Sequence, residues 1–333
     1  MTDQANVSKN RANGFFRGPA AFLFPGQGAQ EVGMGKDLYQ ASPAARRVID
    51  EADKALGFPL SALMFDGPAQ ELERTINTQP AILTVSLACL AAASEQAGKS
   101  LEADASFMAG HSLGEYTALA ASGVLEIGET VWLVKERGRL MQAACDQRPG
   151  AMAAILGMEL APLEEVCKET NTQVANINTP GQIVISGSEE DIAKAIKLAV
   201  SQGAKRALPL KVSGAFHSYL MGPAMEGMLK ALDKVTFHSA AVPIIANCSS
   251  KPISSAWEIK EELAQQLCGC VRWQDSVSFM VNAGVSSFVE FGPGKVLSGM
   301  VKRIATGVDI AAVSDLASAK SLLAAQQDEA KPL

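Results

Sequence analysis

Ser112 lies in Gly110-His111-Ser112-Leu113-Gly114, a G-x-S-x-G frame in which a hydroxyl can be made a nucleophile. The apolar run Phe107-Met108-Ala109 reads as a buried strand entering the frame. Leu113 to Ala121, closed by Gly123, reads as a helix leaving it. A serine on a sharp strand-to-helix turn is forced outward. Its flanking glycines let backbones approach closely, and the next helix points free N–H groups at the same spot. A helix N-cap is the plainer reading of this serine; the strand–turn–helix context favours a nucleophile with half of an oxyanion hole.

Such a serine needs a base, and the chain has three histidines, His111, His217 and His238. His111 adjoins the serine on the turn, so its side chain should point away and serve packing and hydrogen bonding. His238, in Thr236-Phe-His-Ser239, reads as a surface residue. His217, in Ser213-Gly-Ala-Phe-His-Ser218, falls where two structural units join, the usual place for a cleft, and is the best base candidate. No Asp or Glu between Ser112 and His217 has a distinctive setting, so another group, such as a backbone carbonyl, is expected to orient the histidine.

Two more polar residues stand out. Gln27, in Gly26-Gln-Gly-Ala-Gln30, follows the first apolar strand. The segment fits neither G-x-G-x-x-G nor a Walker A loop, because Glu31, Gln30 and Asp37 occupy the required positions. Gln27 is therefore read as presenting polar groups at the end of a core strand, where α/β active sites lie. Arg137 falls among Leu133, Val134, Leu140 and Met141 at helical spacing. An arginine among apolar neighbours wants a carboxylate partner; a structural ion pair or a snorkelling side chain satisfies the same pattern. No H-E-x-x-H or paired C-x-x-C occurs, so no metal site is expected.

Composition sets the frame for these residues. The chain has 333 residues, 48% apolar and 19% charged, enough for a large core. A net charge of −6 argues against nucleic acid as the main partner. No run of 18 or more apolar residues suggests a membrane span. Six scattered cysteines read as reduced thiols, which places the protein in a cytoplasmic setting. The first 18 residues are polar, without an apolar secretion core; a plastid transit peptide is the alternative to a flexible tail.

The elements that must position the site alternate strand and helix. Ala20–Phe24 (strand), 44–56 and 80–96 (helices), the serine strand and helix, and 127–144 (helix) indicate an α/β fold with a mainly parallel sheet. Between about residues 150 and 212 the order becomes β-α-β-β-α-β, that of a ferredoxin-like unit inserted into the larger one. Alternation then resumes through 287–291 and a last helix at 296–303. The expected division is a tail over 1–18, a large domain over 19–148 and 213–316, the small subdomain over 149–212, and a tail over 317–333.

Taken together, Phe24-Pro-Gly-Gln-Gly28, Thr78-Gln-Pro80, Gly110-His-Ser-Leu-Gly-Glu-Tyr116, the Arg137 helix, Asn176-Ile-Asn-Thr-Pro-Gly-Gln182, Ala215-Phe-His217 and Glu290-Phe-Gly-Pro-Gly294 resemble the malonyl-CoA:acyl carrier protein transacylase family. The resemblance spans roughly residues 20 to 316 and implies a hydrolase-like large domain. It assigns Ser112 as nucleophile, His217 as base, and Gln27 with the Leu113 N–H as the oxyanion hole. It assigns Arg137 to the malonyl carboxylate, in place of a structural ion pair, and Asn178 to the cleft lining. It places the histidine-orienting carbonyl near Val271-Arg-Trp273, hence at Arg272, where some relatives carry Gln.

The implied reaction is transfer of a malonyl group from malonyl-CoA to the phosphopantetheine thiol of acyl carrier protein, through a malonyl-serine. Coenzyme A enters as substrate, and no cofactor is implied. Phe216 beside the base should leave little room for an α-methyl group. Lys205, Arg206 and Lys211, near the expected cleft mouth, are candidates for docking the acidic carrier; a solvated basic edge is the alternative. A serine thioesterase using the same elbow, and a non-catalytic carrier-binding module, are the competing functions. The first would have little use for Arg137, and the second would be expected to lose Ser112 or His217.

Overall fold

A computed structural model describes residue 16 and residues 18–328. Its larger sheet has the order β10-β9-β1-β2-β7-β8, built from β1 (Ala20–Phe24), β2 (Ala105–Gly110), β7 (Ile244–Ile245), β8 (Pro252–Ile253), β9 (Ser287–Phe291) and β10 (Asp309–Val313). All pairings are parallel except β7 with β8. Central β1 is buried along all five residues, as a parallel strand covered on both faces must be. Its side chains alternate between two cores. Ala20, Phe22 and Phe24 join the one formed with the helix Thr75–Ala97; Ala21 and Leu23 join the one around Trp273, Met280 and Leu297.

The smaller sheet has the order β4-β5-β3-β6, from β3 (Ala151–Leu156), β4 (Gln173–Thr179), β5 (Gln182–Gly187) and β6 (Arg206–Pro209). It is antiparallel throughout. Helices Leu160–Thr170 and Glu189–Ser201 pack on it through Leu163, Val166, Ile192 and Ala195. A main-chain link joins the units: Val271 N–H donates to Ala175 O at 2.8 Å and Ile177 N–H to Val271 O at 2.9 Å.

The expected tails at 1–18 and 317–333 are only partly described, and residues 329–333 lie outside the described residues. Residues 1–15 and 17 lie outside the described residues, but Phe16 is buried against Phe22, ring centroids 5.7 Å apart. Residues 316–328 are helical, with Ala319 and Leu322 buried in the main core. This helix lies against the helix Thr75–Ala97, and packing decides where local composition does not. That 23-residue helix is long and apolar enough to cross a membrane, and it is the only such helix among the described residues. It is the central buried helix of the large unit, so its apolar circumference reflects protein on all sides.

The parallel pairing sets β1, β2, β7 and β9 with their C-terminal ends along one edge. Phe24 is in register with Gly110, so the segments after β1 and β2 emerge side by side. Close approach there depends on glycine. A Cβ on Gly110 would lie 1.9 Å from the carbonyl of Gly114, and one on Gly114 would lie 2.0 Å from the carbonyl oxygen of Phe24. Gly114→Ala should therefore lose at least ~1–3 kcal/mol in urea unfolding, as overpacked sites do. Gly222→Ala, where nothing lies within 4 Å of an added Cβ, should change stability by less than ~0.5 kcal/mol.

Candidate active site

Ser112 follows β2 and precedes the helix Leu113–Ala121, with φ 52° and ψ −105°. Positive φ is strained for a residue with a Cβ, and strain of this kind persists only where the surroundings enforce it. Here two amides hold the Ser112 backbone from opposite sides. Its N–H donates to Asn247 Oδ1 at 2.7 Å, and its carbonyl accepts from Gln266 Nε2 at 2.9 Å. Asn247, just past β7, also donates through Nδ2 to Gly110 O at 2.8 Å.

Ser112 Oγ lies 2.7 Å from His217 Nε2. His217 Nδ1 faces two carbonyl oxygens, Gln266 O at 2.9 Å and Gly269 O at 3.1 Å. Carbonyls only accept, so Nδ1 carries the proton and Nε2 offers its lone pair to the serine hydroxyl. This replaces the expected carbonyl at Arg272. The Arg272 carbonyl instead accepts from Ser250 and Ser276 hydroxyls at 3.1 Å, and its guanidinium pairs with Asp275 at 2.7 Å. The chain rises from Gln266 through Gly269 before reaching Arg272, and the earlier turn is the one that meets the imidazole. His217 is also at positive φ, 55°. Burial, then the Arg137 charge and His111, hold its pKa down at about 3.

Arg137, on the helix Ile127–Gln147, is 1% exposed. Its Nη1 donates to Gln79 Oε1 at 2.7 Å; its Nη2 donates to Gln266 Oε1 at 2.9 Å and to Ser112 Oγ at 3.1 Å. Its guanidinium also lies over the Tyr116 ring, 5.3 Å from the centroid. These hydrogen-bond partners are neutral, so no direct ion pair forms; the Glu115 carboxyl acts on the Arg137 charge from beyond hydrogen-bonding distance. Burial lowers its pKa from the usual arginine value, yet a guanidinium remains charged at neutral pH. A buried cation whose hydrogen bonds end on amides and a hydroxyl is a ready seat for an anion.

These groups border a cavity of about 520 Å³, lined also by Gln27, Leu113, Met141, Asn178, Lys211 and Phe216. Gln27 sits past β1, its amide donating to Thr75 Oγ1 at 3.4 Å rather than to Ser112. Leu113 opens the helix after the serine. Asn178, near the end of β4, bonds His111 Nε2 through Oδ1 at 2.9 Å, so the small sheet closes one wall of the cavity. His111 turns from the serine to that contact, and His238 is exposed. Lys205, Arg206 and Lys211 are all exposed but do not form one cluster: Lys211 borders the cavity, while Lys205 and Arg206 lie at the far end of β6. Sequence reasoning missed Gln79, Asn247 and Gln266. The available signal was a polar residue on the apolar face of a helix, as Gln266 is with Ile259 and Leu263. Among the described residues no cluster of His, Cys, Asp and Glu could hold a metal.

A strained serine elbow, an imidazole within hydrogen-bonding distance of its hydroxyl and a buried guanidinium beside both form, on an α/β scaffold, an arrangement suited to acyl transfer through a serine. Residues 21–330 match the acyl transferase domain family. The chain is 47% identical to the malonyl CoA-acyl carrier protein transacylase of Bacillus subtilis (strain 168), over 89% of this chain and 93% of that one. Against the protein of the same name from Escherichia coli (strain K12) it is 43% identical, over 89% and 96%. The acyl-carrier-protein-S-malonyltransferase of Bartonella henselae superposes with a TM-score of 0.89 at 42% identity, covering 93% of this chain and 99% of that one. A malonyl-transacylase solved with a type II PKS acyl-carrier protein gives 0.87 at 40% identity, covering 92% and 99%. The chain belongs to the malonyl-CoA:acyl carrier protein transacylase family of acyl transferases.

The depressed His217 pKa has a thermodynamic signature. The unfolded imidazole titrates near 6.5 and the folded one near 3, so below pH 6.5 the unfolded state binds the extra proton. The contribution of His217 is complete above pH 6.5 and falls by up to ~1.4 kcal/mol per pH unit as pH drops toward 3. His217→Gln should therefore lose stability less steeply than the wild type between pH 6.5 and 4 in urea titrations. Parallel curves would contradict a neutral buried histidine.

Proposed function

We propose that this protein transfers a malonyl group from malonyl-CoA to the phosphopantetheine thiol of acyl carrier protein through a malonyl-Ser112 intermediate. The observation that carries the reading is the Arg137 guanidinium, buried, bound by neutral partners and 3.1 Å from Ser112 Oγ. A thioesterase would need neither that cation nor protection from water, and a carrier-binding module would need no aligned Ser112–His217 pair.

In this mechanism His217 Nε2 takes the Ser112 proton as Oγ attacks the thioester carbonyl. The C–O bond forms, and collapse of the tetrahedral intermediate breaks the C–S bond. His217 returns the proton to the departing coenzyme A sulfur. The carrier thiol then gives its proton to His217 and attacks the acyl-serine carbonyl; collapse breaks the C–O bond to Ser112, His217 returns the proton to Oγ, and the malonyl group leaves on the carrier sulfur. The carbonyls of Gln266 and Gly269 stabilise the transient imidazolium through Nδ1–H, in place of a triad carboxylate. Arg137 clamps the substrate carboxylate with parallel hydrogen bonds, geometry that lysine does not offer. Burial is the main cause of the low His217 pKa and the Arg137 charge adds to it; a seated carboxylate offsets that second contribution, so the base strengthens when substrate is present.

The Leu113 N–H and, after leaving Thr75, the Gln27 amide supply the oxyanion donors, each worth about 3–4 kcal/mol. Phe216, 7% exposed and lining the cavity beside His217, restricts an α-methyl branch and favours malonyl over methylmalonyl. Asn178 contributes to the wall through His111. Val271 to Trp273 act in tethering the small unit to the large one, not in orienting His217. Lys211 at the cavity border and the exposed Lys205 and Arg206 at the other end of β6 meet the acidic carrier, and the compartment is cytoplasmic. The small unit is assigned to residues 149–212.

Intact-protein mass spectrometry tests the intermediate. Wild-type protein with malonyl-CoA should gain one malonyl group and lose it on addition of holo carrier protein, and Ser112→Ala should gain none. An adduct on the alanine variant, or release as free malonate in place of carrier loading, would overturn the reading. Charge reversal at Lys205 and Arg206 should raise the KM for carrier and leave that for malonyl-CoA unchanged. An unchanged carrier KM would remove them from the docking surface.

A further inference from the structure

Glu115, in the first turn of the helix after Ser112, is 1% exposed and touches none of the reacting atoms. Its two oxygens face two donors. Oε1 accepts from Asn247 N–H at 3.0 Å, and Oε2 accepts from Gln266 Nε2. The Gln266 amide orientation is fixed independently. Arg137 has only donors and meets Oε1, while the Ser112 carbonyl only accepts and meets Nε2. The Glu115 atom facing Nε2 is thus an acceptor.

We infer that Glu115 is a positioning residue: one buried carboxylate orients the two amide residues, Asn247 and Gln266, that clamp the strained Ser112 peptide and steer Arg137. Through Asn247 it bears on the Ser112 N–H; through the Gln266 amide it bears on the Ser112 carbonyl and on Arg137 Nη2. The Gln266 main-chain carbonyl in turn accepts from His217 Nδ1, so Glu115 braces nucleophile, base and anion seat from behind. A glutamine at 115 has the same shape but cannot do this. Either of its amide orientations sets an NH2 group against a donor, Asn247 N–H in one and Gln266 Nε2 in the other. A displaced Gln266 amide would turn its NH2 group toward Arg137.

The selectivity part of this inference rests on the malonyl reading; the clamp does not. Both are read with Glu115→Gln, using a fluorophosphonate that labels an activated serine and carries no carboxylate. We expect Ser112 labelling to slow at least ~10-fold, and the preference for malonyl-CoA over acetyl-CoA in acylation rate to fall at least ~10-fold, the scale of misplaced positioning groups. Gln266→Leu keeps the main-chain carbonyl and should show the same two losses, which keeps the test open if Glu115→Gln folds poorly. A purely packing role would lower the melting temperature with both rates per folded molecule intact. Labelling within twofold of wild type in either folded variant overturns the clamp. Slower labelling with an unchanged malonyl-to-acetyl ratio overturns the link to Arg137. Wild-type protein that takes the fluorophosphonate but no malonyl group overturns the malonyl reading, and the labelling rates then decide the clamp alone.

Discussion

The cation of Arg137 sits in the protein interior without a carboxylate at hydrogen-bonding distance, held by the amide oxygens of Gln79 and Gln266 and by the hydroxyl of Ser112. Burying such a charge costs several kcal/mol after relaxation, and neutral amides recover only part of it. The rest of the site follows from that cost. Desolvation and the nearby positive charge keep His217 neutral. The serine oxygen lies against a donor that would favour its ionised form. The cavity places both under a wall supplied by the smaller sheet. In the proposed reaction a substrate carboxylate completes this arrangement and raises the basicity of His217.

The scaffold makes this possible by bringing strand ends together. Parallel pairing of β1, β2, β7 and β9 delivers Gln27, Ser112, Asn247 and the Gly292-Pro-Gly294 turn to one edge. The elbow closes because Gly110 and Gly114 carry no Cβ, which at either position would lie about 2 Å from backbone atoms. Glu290 extends the same economy: its carboxylate accepts from Leu297 N–H at 3.1 Å and Ser298 N–H at 2.7 Å, capping the helix Val296–Ile304.

Much of this was legible in the chain. The elbow serine, the histidine at the junction, the arginine among apolar residues and the β-α-β-β-α-β order each carry local patterns, because side-chain type and period report burial directly. The orienting carbonyls did not. A main-chain oxygen has no residue type, so the expectation of Arg272 fell three to six residues past the oxygens of Gly269 and Gln266 that meet His217. Gln79, Asn247 and Gln266 were hidden for another reason: their partners come from segments distant in sequence, and only the fold reveals them. The helix Leu316–Asp328 was read as a tail because its apolar pattern is weak and the helix it packs against, Thr75–Ala97, is far away in sequence.

The central claim is that the buried guanidinium exists to seat the substrate carboxylate. Its most direct test is kcat/KM for malonyl-CoA and for acetyl-CoA, with wild type and with Arg137→Ala. The account predicts that the variant loses roughly 100-fold or more of the malonyl preference, the worth of a desolvated charge-assisted pair, while acetyl transfer falls less or rises. A variant that keeps the wild-type ratio would show that the charge serves something other than the acyl group.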